Sequence, residues 1–307
     1  MIVVALRLCI FFLLLVLPLS SVVGKQTVLG GDLQDRVLQH HVLADGSVLA
    51  AGLFNGNHSD VVCLGDSFAA ISQLGRDGQV SRQKVFDSLP ASNIAVFPLP
   101  SGSLVLLVIR GQSRCEHSNF EIWQLDEQWQ LAELAFDIPN IRDMKVLRAP
   151  DGVLTVVLQE EAADPHDPGN RQASLLRFSP TLSKVWEKSL GEIDRVHDLV
   201  LLDDTVLILS ELEKAHFILH VAPDSAVRKQ ALDSPASHLA VNARDQIIFT
   251  AYSSGRADSA ELHVQALTQA GGLLWSHKRD GDFSLGALSF LDHKDGLWLA
   301  GASDRFG

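Results

Sequence analysis

Two short patterns in this chain could together perform acyl transfer. Gly65-Asp66-Ser67 follows a short apolar run and offers a serine hydroxyl, and Asp194-Arg195-Val196-His197 offers an acid and a base. A serine hydroxyl is a weak nucleophile unless a base stands within hydrogen-bond reach and backbone donors receive the oxyanion. A second group, Glu160, Glu161, Asp164, His166 and Asp167 in QEEAADPHDPGN, supplies oxygen ligands of the kind a hard cation takes, without the regular spacing of a calcium loop. His40 and His41 are adjacent, so on a strand they point to opposite faces and cannot chelate one ion side by side.

The Gly-Asp-Ser block resembles the nucleophile block of the GDS(L)-type (SGNH) esterases and lipases, which place D-x-x-H near the C-terminal end of the fold. The resemblance implies Ser67 as nucleophile, with Asp194 and His197 as its partners. That chemistry needs a strand, a sharp turn and then a helix. Here Ser67 opens a strand that ends at the Arg76-Asp77-Gly78 turn and returns as a strand, and the further Gly and Gly-x-Asn-Asp blocks are absent. The esterase reading therefore stands as a remote alternative.

The elements that must position such residues come from the whole chain. Its 307 residues are 47% hydrophobic and 20% charged, enough to bury a large core. Residues 1–24 combine Arg7, an apolar stretch from Leu8 to Leu17, Pro18 and a small, polar run ending at Gly24, the architecture of a signal peptide. The expected domains are thus a signal peptide, 1–24, with an uncleaved N-terminal anchor as the alternative, and an exported body, 25–307, in the periplasm or outside the cell, with no transmembrane span after cleavage. Losing Arg7 takes the formal net charge from −12 to −13. So acidic a chain repels phosphate backbones, which excludes nucleic acid as the expected partner. Cys63 and Cys115 remain after cleavage, and an even pair in an exported chain invites a disulfide.

Short runs of Val, Leu, Ile and Ala alternate with turn residues along 25–307, and the chain reads as all-β. A hairpin recurs with its second turn residue at Gly46, Gly102, Gly152, Asp204, Gln246 and Gly296, giving spacings of 56, 50, 52, 42 and 50. Its turns carry Gly or Asp, as a two-residue hairpin requires. A second hairpin comes after each of the first five. A period of about 50 with four strands per unit predicts a β-propeller with five complete units and the first hairpin of a sixth. On that count the chain is expected to be a truncated piece of a longer one. The five tryptophans, Trp123, Trp129, Trp186, Trp275 and Trp298, fall inside strand patterns and are expected to pack between blades. His197 and His238 occur at similar stages of their units and are expected near the axis.

The run from 267 to 307, with a turn Gly, a Trp three residues on and a later Asp-Gly turn, resembles the repeats of bacterial PQQ-like and SBBP-type β-propellers. Part of 179–212 shares the pattern. The resemblance implies a shape; the axial quinone and calcium sites of the PQQ-dependent dehydrogenases have no matching positions, so no cofactor and no metal is expected.

In such blades one set of connections is tight and the other long. The long ones run from Asn55 to Asp66, Arg110 to Asn119, Glu160 to Gln172, Ser210 to His216 and Ser253 to Ala260. Long loops gathered on one face of a rigid scaffold are where binding resides. The candidate binding residues are Asn55, His58, Asp60, Arg114, His117, Glu160, Glu161, Asp164, His166, Asp167, Glu211, Glu213, Arg256 and Asp258. The expected function is a non-catalytic binding or scaffold module for a protein or glycan at the cell envelope. The alternative is a propeller enzyme, quinoprotein-like or hydrolytic, with its site in the central funnel.

Overall fold

The structure is a computed structural model that describes residues 36–55, 67–99, 101–111, 118–160, 171–224, 226–253, 261–280, 284–291 and 296–302. Among them every regular element is a strand, all ladders are antiparallel, and no helix is long and apolar enough to cross a membrane. The N-terminal apolar segment lies outside the described residues.

One curled sheet runs in chain order through β1 (Arg36–Val42), β2 (Val48–Asn55), β3 (Ser67–Leu74), β4 (Val80–Pro98), β5 (Leu104–Arg110), β6 (Asn119–Leu125) and β7 (Leu131–Ile138). Three four-stranded sheets come after it. The first holds β8 (Ile141–Arg148), β9 (Leu154–Glu160), β10 (Gln172–Phe178) and β11 (Lys184–Glu192). The next holds β12 (Arg195–Leu202), β13 (Thr205–Leu212), β14 (Ala215–Val221) and β15 (Val227–Ala231). The third holds β16 (His238–Asn242), β17 (Ile247–Ser253), β18 (Glu261–Thr268) and β19 (Leu273–Asp280), and a hairpin of β20 (Ser284–Leu291) and β21 (Gly296–Ala302) comes last.

The curled sheet is two ladders sharing one strand. Up to Val85 the 19-residue β4 pairs mainly with β3, and from Ala91 to Pro98 it pairs with β5. No turn intervenes to end the first ladder before the second begins.

Middle strands of the described sheets are packed on both faces, so they are buried without alternation. In β5, residues 104–109 are all buried, and in β9 so are residues 154–159. One core joins Phe97, Leu107 and Phe120 to Met144, Val156 and Phe178 across the gap between the curled sheet and the β8–β11 sheet. Others join Leu175 to Ile208 and Leu219, and Leu209 to Leu239 and Ile248, across the next two gaps. Outer strands face water: β11 and β15 are largely exposed and β19 wholly so.

The predicted hairpins are present, with a different turn. Leu43, Leu99 and Ala149 each receive a backbone bond at their carbonyl from the residue three ahead and donate to the residue four ahead. That is a three-residue loop ending in a glycine bulge, not a two-residue turn. Gly46, Gly102 and Gly152 take φ of 78°, 86° and 88° there, the left-handed region a Cβ disfavours. Asp203-Asp204 is a two-residue turn, with Leu202 paired to Thr205. At equivalent bulges in second hairpins, Trp129 and Leu182 take φ of 62° and 65° and are buried at 6% and 5% exposure. Trp129 fills the core between the two ladders of the curled sheet, and Leu182 the core between that sheet and the β8–β11 sheet, which offsets the backbone cost. Trp129 thus sits in a turn rather than a strand, with the Arg82 guanidinium 4.2 Å over its ring.

A second correction concerns the expected loop from Ser210 to His216. β13 runs to Leu212 and β14 starts at Ala215, so Glu213-Lys214 is a two-residue turn with φ of 51° and 67°, and Glu211 lies within β13. Asp194 replaces the glycine chemistry from outside, its carboxylate accepting the Glu213 N–H at 2.6 Å.

Candidate functional site

The innermost strands lie side by side, β1 against β4, β4 against β8, β8 against β12, β12 against β16 and β16 against β20. Where they converge they line a cavity of about 400 Å³. β1 contributes Leu38 and Gln39, β4 residues 92–95, β8 residues 144–146, β12 His197 and Asp198, and β16 His238.

A bulge recurs in these strands at matching places, after Val37, Ala91, Ile141, Val196 and Leu285. An extra residue turns the strand and re-aims the side chains beyond it. In the first four the next paired residue is polar: Gln39, Asn93, Asp143 and Asp198. The Oδ1 atoms of Asn93, Asp143 and Asp198 each accept the N–H of the succeeding residue at 2.8 Å. These side chains also reach the neighbouring inner strand. Gln39 accepts the Val96 N–H at 2.8 Å, Asn93 donates to Asp143 at 2.7 Å, and Asp198 Oδ2 accepts the Leu239 N–H at 2.8 Å. Between β9 and β12 the same service comes from Gln159, which accepts the Val196 N–H at 3.0 Å.

Asp198 is the carboxylate of the cavity wall. Burial pushes its carboxyl up from the usual range, against the two backbone N–H bonds and the nearby charges of His238 and Lys145. Both its oxygens are engaged by backbone donors, so it acts as an acceptor clamp.

At one edge of the cavity, three strands bring His197, Glu211 and His216 together, with one ligand atom of each within 4.8 Å of the others. His197 Nε2 lies 3.0 Å from Glu211 Oε2, and the His197 and His216 rings stack with centroids 5.2 Å apart at 22°. The register explains the meeting: Glu211 pairs directly with His216 across β13 and β14, and His197 is the extra residue of the β12 bulge beside it. Burial pushes the His197 imidazole below its ordinary pKa, and the Glu211 hydrogen bond opposes it.

Of the residues expected from sequence, His197 and His238 do line the axis. His40 is exposed while His41 packs on the Phe97 ring at 4.7 Å, so they diverge as alternation requires. Ser67 opens β3 opposite Asn55, with no helix after it, and Asp194 is held by the Glu213 turn. Asn55 and Glu160 end their strands. Cys63, Cys115, His58, Asp60, Arg114, His117, Glu161, Asp164, His166, Asp167, Arg256 and Asp258 lie outside the described residues. Among the tryptophans, Trp123 packs on the core between the two ladders of the curled sheet, Trp186 packs on the core between the β8–β11 and β12–β15 sheets, and Trp275 is 44% exposed beside Phe249.

Four histidines, His41, His197, His220 and His263, are held below their ordinary pKa of 6.5, in each case chiefly by burial. A folded-state pKa below the unfolded value means the unfolded chain takes the proton first. Their stability contribution is present above pH 6.5 and is lost as pH falls through that value toward the folded pKa values. Urea midpoints taken between pH 7.5 and about 5 should therefore decline before most carboxylates titrate. A midpoint that stays level or rises over that window would contradict this account.

No protein-family model matches the sequence, and no curated protein matches it. Solved structures do resemble the fold. An α-L-arabinofuranosidase from Fusarium graminearum, solved with an iminosugar inhibitor, superposes with TM-score 0.56 at 10% identity, over 86% of this chain and 87% of its own. An acylaminoacyl peptidase superposes with TM-score 0.52 at 10% identity, over 87% of this chain and 43% of its own. A eukaryotic initiation factor structure matches 79% of this chain at TM-score 0.44 and 12% identity. This chain spans 55% of that structure and less than half of the peptidase. At such identities the likeness is one of architecture: the chain has an all-β, propeller-type fold built of stacked four-stranded antiparallel sheets.

Proposed function

We propose that the protein is an exported β-propeller of five complete four-stranded units plus the first hairpin of a sixth, and that it is a binding module rather than an enzyme. The ligand is a glycan, held at the axial cavity by Lys145, His238 and Ser92, hydrogen-bonding groups suited to hydroxyl-rich rings. One observation carries the non-catalytic reading. Among the described lining residues the sole carboxylate, Asp198, has both oxygens occupied by backbone N–H groups. Glycoside hydrolysis needs a pair of carboxyl groups flanking the bond, one as acid and one as base or nucleophile. Acyl transfer needs a nucleophile beside its base, and Ser67 sits in β3 of the curled sheet whereas His197 lies in β12 of another sheet, with Asp194 just before that strand.

The proposal is tested by screening the purified chain against an oligosaccharide array and examining each hit by calorimetry and product chromatography. A bound glycan that is recovered intact, with affinity reduced about tenfold or more in Lys145→Ala or His238→Ala, supports the axial site. Turnover of the glycan would favour the enzyme alternative. Binding unchanged in both variants would move the site to the long-loop face.

A further inference from the structure

We propose that His197, Glu211 and His216 form a binding site for one zinc-type divalent cation at the edge of the axial cavity. The donor set is two imidazoles and a carboxylate, which suits a borderline first-row ion such as Zn²⁺ and poorly suits Ca²⁺ or Mg²⁺, whose ligands are oxygens. The proposal does not depend on what the cavity binds.

The geometry is close to what such an ion requires. Ligand atoms bonded to zinc at about 2.0–2.2 Å in a tetrahedron stand roughly 3.3–3.6 Å from one another. Here all three candidate atoms already lie within 4.8 Å, and one pair is at 3.0 Å. Contraction onto an ion needs side-chain torsion alone, because the three residues are mounted on neighbouring strands of one sheet. Glu211 and His216 are a direct cross-strand pair, one pair from the end of the two-residue Glu213-Lys214 turn, which fixes their register. The bulge between Val196 and Asp198 supplies the third ligand. Three ligands gathered this way differ from a sequence motif: they stand 14 and 5 residues apart with no periodic spacing.

Burial is also suitable. The His197 and Glu211 side chains are 12% and 24% exposed, shielded enough to strengthen attraction to an ion yet open to its entry. Among the described residues nothing strong competes for His216 Nδ1: the Ala236 N–H reaches it only at 3.4 Å, longer than a normal hydrogen bond. With three protein ligands, a tetrahedral ion keeps one position for water or for an oxygen of a bound molecule. Since His197 also lines the cavity, that ion would stand in its wall and give it a positive charge beyond Lys145.

The experiment uses the full chain stripped with EDTA, titrated with Zn²⁺ by calorimetry and by competition with a chromogenic chelator, with Ca²⁺ and Mg²⁺ in parallel. The expected result is one Zn²⁺ bound per chain and no comparable binding of the other two. His216→Gln and Glu211→Gln should each weaken it tenfold or more, while His277→Ala on exposed β19 should leave it unchanged. Because a variant could lose stability for other reasons, the zinc-dependent rise in melting temperature is read for each protein against its own EDTA baseline. That rise should vanish in both ligand variants. Zinc binding equal in wild type, His216→Gln and Glu211→Gln would place the ion elsewhere and overturn the assignment, as would a wild-type chain that binds no Zn²⁺.

Discussion

Phe178→Ala should destabilise the fold by about 3–5 kcal/mol, the usual cost of truncating a fully buried aromatic. Phe178 ends β10 with no exposed surface, and its ring meets the edge of Phe136 at 5.0 Å, so it belongs at once to the β8–β11 sheet and to the curled sheet before it. Around it stand Leu154 and Leu182, the latter fixed in a left-handed turn that cannot move to fill a void cheaply. A hole at this point therefore persists, and a large fraction of a typical stability of about 5–15 kcal/mol is at stake. Phe178→Leu, which keeps much of the volume, should lose less than half as much. Urea midpoints of the two variants and the parent check the ranking; an alanine variant within about 1 kcal/mol of the parent would show that the two sheets do not depend on this contact.

Asp198→Ala should cost about 2–4 kcal/mol, since it strands two backbone donors at roughly 1–2 kcal/mol each. The Leu199 and Leu239 N–H groups lose their acceptors, in residues 7% and 1% exposed. Relief of the charge's burial returns part of that. Asp198→Asn keeps one acceptor oxygen and should fall between parent and alanine. The pH response separates clamp from packing. A carboxyl whose folded pKa is raised above 3.8 binds its proton more tightly when folded, so its contribution is full below 3.8 and is lost as pH rises through the folded value. The stability gap between Asp198→Asn and parent should therefore change across that window, with the parent gaining on acidification. A gap that is constant with pH would show the carboxyl's ionisation is not linked to folding.

The repeat of about 50 residues is legible because glycine is needed where Gly46, Gly102 and Gly152 take left-handed angles, and so marks the chain at each of those first hairpins. The same turn built on Trp129 or Leu182 leaves no such mark: those residues are held there by tertiary burial, which local sequence does not encode. Glu213-Lys214 reads as part of a long loop for that reason too. Its turn is completed by Asp194, 19 residues upstream. The axial polar residues do carry a signal, since Gln39, Asn93, Asp143 and Asp198 recur at 54, 50 and 55 residues. It is hidden by their differing chemistry, as an amide and a carboxylate can clamp the same backbone group. The His197, Glu211 and His216 meeting needs register: only the pairing of Glu211 with His216, and the bulge at His197, bring them to one place.

The shared strand β4 makes the molecule mechanically uneven. A tug on the ladder of β1 to β3 is carried into β5 to β7 within one strand, without crossing a loop. Between β15 and β16 the chain instead crosses residues 232–237 outside any ladder, fastened by the Leu232 N–H to the His216 carbonyl and the Ser237 N–H to the Ala251 carbonyl. A load passed along the chain from β15 to β16 must therefore run through a six-residue crossing, beside His216, that is held by two backbone hydrogen bonds rather than by a ladder.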